Sequence, residues 1–375
     1  MPLAISDRIY LQIRINNVEI PLEQNTISYL HIVESVRIYV PMLSFKINDI
    51  TKFLTRNNLL VDGALIEITI EVEGYRSIYL FRLFGSSELI ANGSTSYVIK
   101  GYLNVPRYWT ESSVGAIKGS ASKSLQAIAT AVNLTYDGVT TTEDQLWVPM
   151  NRKYCDFAKA IVDGASTSGT SCIKLAISVD KAMLVRDISI ALKSEPQEMF
   201  SNKDSAATSA SIITDYEVLN KSGFFNASTG YSDFKIVQSF LANDLEIKDV
   251  SFIKNSRKSM INKDIQKGVG QNRVSFSPID VGNVSSTYEA AKYQNRRLSN
   301  LFVFGLNFLT PRPVKSKLLE VVGTEISKPD LDGVSQYSGK YLLTSKVTYI
   351  QGMNFYQKCE VYRHGLNATQ ESSQI

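Results

Sequence analysis

His31 and His364 are the only two histidines in the 375-residue chain. Any Ser-His-Asp or Cys-His machinery has to use one of them, because imidazole is the side chain that exchanges protons near neutral pH. His31 lies in an N-terminal strand-like run and His364 near the C-terminus, and neither comes with a nucleophile in a recognisable strand-to-helix elbow. Glu143 and Asp144 offer the two carboxylates of a glycosidase, but adjacent side chains point apart, and their Thr-rich surroundings predict solvated loop carboxylates. Cys155, Cys172 and Cys359 lack zinc spacing and leave an odd thiol over, which predicts small core residues and assembly in a reducing cytosol. The segment KGVGQNR, Lys267 to Arg273, supplies Gly268 and Gly270 but neither the remaining glycine of a dinucleotide fingerprint nor a strand leading into it. These residues predict no catalytic group, no metal site and no cofactor.

One candidate is cationic rather than catalytic. Between Ser251 and Ser275 stand Lys254, Arg257, Lys258, Lys263, Lys267 and Arg273, opposed by Asp264 alone. Such an arm could neutralise phosphates, but Phe252 is its only aromatic residue, so bases would find no stacking platform. A solvated or protein-binding arm is the expectation. The whole chain is nearly balanced, with 40 basic and 36 acidic residues and a formal charge of +4, so bulk charge names no polyanionic partner.

These residues must be positioned by ordinary globular elements. With 44% hydrophobic and 20% charged residues, the chain is long enough for two or three cores. Its first twenty residues carry no basic segment ahead of an apolar one, and no stretch approaches 18 uninterrupted apolar residues, so neither a secretion signal nor membrane insertion is expected. Ala64, Ile66, Ile68, Ile70 and Val72 alternate with Glu67, Thr69, Glu71 and Glu73, the pattern of a strand with one buried and one wet face. A second strand from Ile78, an Asn92-Gly93 turn and SYVIKGYL complete a hairpin, which makes residues 1–105 all-β.

After Pro106 the period changes. Leu125, Ile128, Ala129 and Val132, then Tyr154, Phe157, Ala158 and Ile161, recur at helical spacing and predict two amphipathic helices. With QLWVPM and the alternating CIKLAISVDKAMLVRDI they make residues 106–204 a small α+β domain. The Ser/Ala/Thr-rich stretch from Ser201 reads as a linker, and DYEVLN as the next strand. Ser286-Thr287-Tyr288-Glu289 fits a capping box for a helix reaching about Asn300. Strands then return, with residues 205–250 and 296–366 forming one β-domain, the arm and helix of 251–295 packed with the middle domain, and 367–375 a polar tail.

The last strands repeat the first. Gly63-Ala64-Leu65-Ile66-Glu67-Ile68 corresponds to Ser316-Lys317-Leu318-Leu319-Glu320-Val321, and each precedes a long hairpin returning through aromatic residues, Tyr97 to Tyr102 and Phe355 to Tyr362. In the second hairpin Leu343, Ser345, Val347 and Tyr349 share one face and Leu342, Thr344, Lys346, Thr348 and Ile350 the other, so neither face is cleanly polar. A barrel flank that meets a neighbouring subunit needs that mixture, and Lys346 is expected to act mainly in assembly.

FKINDI, VDGALIEITI, GSASKSLQAIATAVNL and SGKYLLTSKVTYI with FYQKCEVYRHG, together with the helix STYEAAKYQNRRLSN, follow one another in an order that resembles the central baseplate hub proteins of contractile-tailed bacteriophages. These are related to the hub part of VgrG-type secretion spikes. The resemblance spans nearly the whole chain in element order, though the basic arm has no counterpart. It implies an α+β, β-rich fold with two tail-tube-like β-barrel domains and an inserted small α+β domain. It also implies a non-enzymatic virion protein, assembled in the host cytoplasm, whose homotrimer imitates a hexamer. Such a ring adapts the hexameric tail tube protein to the trimeric central spike protein, touches the neighbouring baseplate wedge proteins and leaves a channel through which DNA passes without sequence-specific binding. In that setting the arm would contact an acidic neighbour or line the path of DNA. The alternative is a cell-wall-degrading or carbohydrate-binding component of the tail tip.

Overall fold

The computed structural model describes residues 9–22, 26–49, 51–91, 94–113, 115–168, 171–203, 211–220, 234–238, 246–250, 274–276, 304–327, 337–352 and 354–363. Its first part comprises β1 (Tyr10–Ile15), β2 (Val18–Glu19), β3 (Ile27–Ser35), β4 (Met42–Asn48), α1 (Phe53–Arg56), β5 (Leu65–Val72), β6 (Tyr75–Ala91) and β7 (Ser94–Leu103). On β5 the alternating apolar residues from Ala64 to Val72 are all buried, as their period demands, while Thr69 on the opposite face is buried too. Glu73 and Gly74, at φ 50° and 77°, turn the chain from β5 into β6. Two successive left-handed residues have the twist that antiparallel strands need. β6 and β7 then pair out to Ala91↔Ser94; the Asn92-Gly93 turn itself is outside the described residues.

The middle part holds α2 (Pro106–Thr110), β8 (Ile117–Gly119), α3 (Ala121–Ala131), β9 (Thr135–Gly138), β10 (Gln145–Trp147), α4 (Tyr154–Gly164), β11 (Ile173–Ile177), β12 (Ala182–Asp187) and α5 (Ile188–Ala191). Pro106 opens α2, where its missing N–H costs nothing. Ser120 caps α3 by accepting the Lys123 N–H at 3.3 Å. Leu125, Ile128 and Ala129 of α3 meet Phe157, Ala158 and Ile161 of α4 in one buried cluster, so the helical spacing read from sequence is the packing stripe. Asp187 ends β12 by accepting the N–H groups of Cys172 and Ser189, both at 3.0 Å.

The last part contains β13 (Glu198–Ser201), β14 (Ser211–Ile212), β15 (Asp215–Asn220), β16 (Phe234–Gln238), β17 (Glu246–Val250), β18 (Val274–Phe276), β19 (Phe304–Thr310), β20 (Val321–Glu325), β21 (Gly339–Gln351) and β22 (Asn354–Arg363). The stretch read as a linker carries a short strand at its end, because Ser211 pairs with Phe200 in parallel. Val274 and Ser275, at the end of the expected arm, belong to β18, which pairs with β16. The remainder of the arm, and the capping box with its helix, are outside the described residues.

The repeat is real in topology. β3, β4, β7, β6 and β5 lie side by side in that order, and β15, β19, β22, β21 and β20 follow the same order. Both hairpins carry a β-bulge at the same place, between Leu83 and Gly85 and between Leu343 and Ser345. The residue that donates to the strand before each bulge also matches: Gly63 N–H to the Leu83 carbonyl, and Leu319 N–H to the Leu343 carbonyl, each at 2.8 Å. Gly63 and Leu319 are both left-handed, with φ 78° and 66°. Gly63 therefore corresponds to Leu319, three residues beyond the Ser316 expected from the sequence. A small residue looks like the natural partner of glycine, but here a leucine holds the strained backbone, and its fully buried side chain fixes it there.

β13 runs parallel to β20 where β1 runs antiparallel to β5, so the correspondence stops at those five strands. All of these strands join in one 14-stranded sheet, giving the β-rich α+β fold expected; among the described residues no strand pair closes it into separate barrels.

Candidate subunit interface

Among the described residues the two halves meet through one strand pairing. β21 runs antiparallel to β3 from Ser345↔Ser35 to Ile350↔Leu30, so the C-terminal hairpin continues the N-terminal sheet. Ile350 and Phe355, at the far end of that hairpin, are buried in the core made by residues 9–99. Beyond the pairing, Val36 N–H donates to the Thr344 carbonyl at 3.0 Å, and Arg37 reaches Glu360 at 2.6 Å.

Lys346 corrects the sequence reading. It does not wait for a neighbouring chain: its ammonium lies 3.4 Å from Glu34 across the joint. Glu34 also accepts the Val179 N–H at 2.8 Å, tying in the middle part. Burial alone would lower the Lys346 pKa, but the Glu34 carboxylate outweighs it and pushes the ammonium up to about 12. The alternation of the strand left both faces open because one charge on it is neutralised from a residue more than three hundred positions away, a contact no local pattern contains.

His31 sits in the same joint, its ring 4.7 Å from Tyr29 and 4.6 Å from Tyr349. Desolvation lowers its pKa, so it is a neutral aromatic filler of the pairing. His364 is outside the described residues, as are KGVGQNR and the cations of the arm. Glu143 accepts the Ser166 N–H at 3.3 Å, while its neighbour Asp144 is exposed. The pair thus has no shared site between its carboxylates. All three cysteines are free thiols and buried, and burial raises the pKa of Cys155 and pushes Cys359 up to about 12. Among the described residues no cluster of His, Cys, Asp and Glu is arranged to hold a metal.

A cleft of about 650 Å³ lies beside the β5–β6 turn. Three of its charges are engaged: Arg312 pairs with Glu73 at 3.3 Å, and Glu198 accepts the backbone N–H groups of Lys315 and Ser316 at 3.1 and 3.2 Å. The surface that stands out is instead made of strand edges. The flank of β6 beyond Leu83 and the outer edge of β15 pair with no strand among the described residues. Near the former, Leu89 and Ile90 are exposed. An edge with apolar side chains is a template for another chain.

No protein-family model matches the chain, and no curated protein matches it in sequence. Its fold does have solved counterparts. A 43 kDa tail protein of prophage MuSo2 from Shewanella oneidensis superposes with a TM-score of 0.63 at 9% identity, over 95% of this chain and 98% of that one. A tail protein from Neisseria meningitidis gives 0.60 at 11% identity, over 95% and 97%. An Escherichia coli type VI secretion component, described as similar to two bacteriophage T4 tail proteins, gives 0.54 at 6% identity, over 95% and 79%. The chain shares its fold with these tail and type VI secretion proteins, in line with the resemblance its sequence pattern carries. Among the described residues no helix is long and apolar enough to cross a membrane.

Proposed function

We propose that the chain is a structural, non-catalytic hub of a phage tail baseplate or a related injection machine, and that three copies close a ring of six similar β units. The observation that carries this reading is the five-strand order repeated within one chain, with the same bulge and the same left-handed residue. A duplicated unit in a threefold ring has quasi-sixfold symmetry, so one face can seat a hexameric tube and the other a trimeric spike. Wedge proteins would surround the ring and DNA would pass through its lumen. In this reading residues 1–105 form the first tube-like unit and residues 106–204 the inserted domain. Residues 205–250 and 296–366 form the second unit, and β18 from the intervening segment pairs with its β16.

Native mass spectrometry of the chain, alone and mixed with its neighbouring tail proteins, tests the proposal. A mass of three chains is expected. A monomer or dimer in every mixture overturns it. Clearing of peptidoglycan by the purified protein would favour a cell-wall-degrading tail-tip component instead.

A further inference from the structure

The two equivalent hairpins differ in one respect: only one of them is covered. The shared bulge sets Ile90 of β6 equivalent to Ile350 of β21, since Ile90 pairs with Thr95 as Ile350 pairs with Phe355. Ile350 is 1% exposed, covered by the core that contains Leu30, whereas Ile90 is 73% exposed. The difference is the strand beside them. β21 has β3 on its flank, and β6 has none among the described residues.

The strand that would do for β6 what β3 does for β21 also exists. β15 occupies the position of β3: Tyr216 lies opposite Phe308 as Leu30 lies opposite Phe45. Tyr216 and Val218 already pack on the core that holds Phe304, Leu306 and Phe308, yet the outer edge of β15 is unpaired among the described residues. One chain thus has both halves of a second joint, on separate units.

We infer that β6 of one copy pairs antiparallel with β15 of the next, in the register that β21 makes with β3, and that Ile90 is the buried anchor of that interface. Carried over residue by residue, Ser87 stands opposite Leu219 of the second copy and Ile90 opposite its Tyr216. Each copy offers one edge and receives the other, so the contact is head-to-tail and propagates around a ring. The occupant is a second copy of this chain because the same β-hairpin is already seated on the same kind of edge within the chain. This inference rests on the proposed ring and adds which edges close it.

Cross-linking the full-length chain tests it. The double variant Ser87→Cys/Leu219→Cys, oxidised, is expected to form a covalent ladder ending at the ring, and neither single variant should; directly opposed residues on paired strands lie within disulfide reach. The native thiols are buried and do not compete. Ile90→Asp is expected to weaken association at least about tenfold. Ile78→Asp, at another exposed isoleucine of β6, should leave it unchanged. Because Ile90 is exposed in the single chain, its variant should melt as the wild-type monomer does; if it misfolds, the cross-link decides. A trimer that gives no ladder overturns this register and leaves the proposed ring standing. A chain that remains monomeric with and without its tail neighbours overturns both.

Discussion

Lys346 and Glu34 face each other at 3.4 Å across the strand pairing of β21 with β3 that joins the two halves, with side chains 13% and 5% exposed. A charge pair so placed is a poor source of net stability but a strong constraint on partner choice, because either member alone would be a buried, uncompensated charge. Lys346→Met should therefore destabilise the chain by about 3–5 kcal/mol in denaturant unfolding. The double variant Lys346→Met/Glu34→Gln, which retains an acceptor for the Val179 N–H, should recover most of that loss. Equal losses for single and double variants would mean that the pair does not hold the joint.

The same pair sets an alkaline limit. The folded Lys346 pKa is raised from 10.5 to about 12, so its contribution is fully present below 10.5 and is lost as pH rises through about 12. Burial raises the Tyr108 phenol as well, which acts in the same direction. Unfolding free energy measured from pH 9 to 12 should fall across the upper part of that range. Lys346→Met should flatten the fall without abolishing it.

Gly305 marks a place where two strands leave no room. A Cβ there would stand 2.7 Å from the Tyr362 ring and 2.8 Å from the Val361 carbonyl oxygen. Gly305→Ala should cost about 1–3 kcal/mol, because one of the obstacles is backbone and cannot rotate away. The equivalent position in the first unit is Met42, which faces Tyr102 across β4 and β7 without difficulty. A thermal shift comparable to that of a neutral surface substitution would contradict the close approach.

Thiol labelling reports the integrity of two cores at once, because Cys155 lies in the core of α3 and α4 and Cys172 and Cys359 lie in the core that holds Phe304, Leu306 and Phe308. Cys155, Cys172 and Cys359 are buried in the folded chain. At about pH 8, a disulfide reagent should modify none of them until denaturant is added, and then all of them. Rapid labelling of Cys359 in particular would be incompatible with its place between β19 and β21.

Much of this was legible from residues alone. The strand at Ala64–Val72, the helices that became α3 and α4, and the repeated long hairpin all follow from the period of apolar residues, which records which side chains face inward. What became of His31 was not legible: its place between Tyr29 and Tyr349 depends on the pairing of β3 with β21. The sequence by itself determined the elements, their faces and the existence of a repeat.

What it did not determine was who stands beside whom. Strand edges are joined by backbone groups that every residue carries, so nothing in SGKYLLTSKVTYI says that β21 pairs with β3, or that β13 runs parallel to β20 where β1 is antiparallel to β5. The repeat was misaligned by three residues for the same reason: alternation has a period of two and no origin, whereas the left-handed Leu319 that supplies the origin became visible only with its backbone. Lys346 reads from sequence as an assembly residue because its partner, Glu34, is brought to it by the tertiary fold alone.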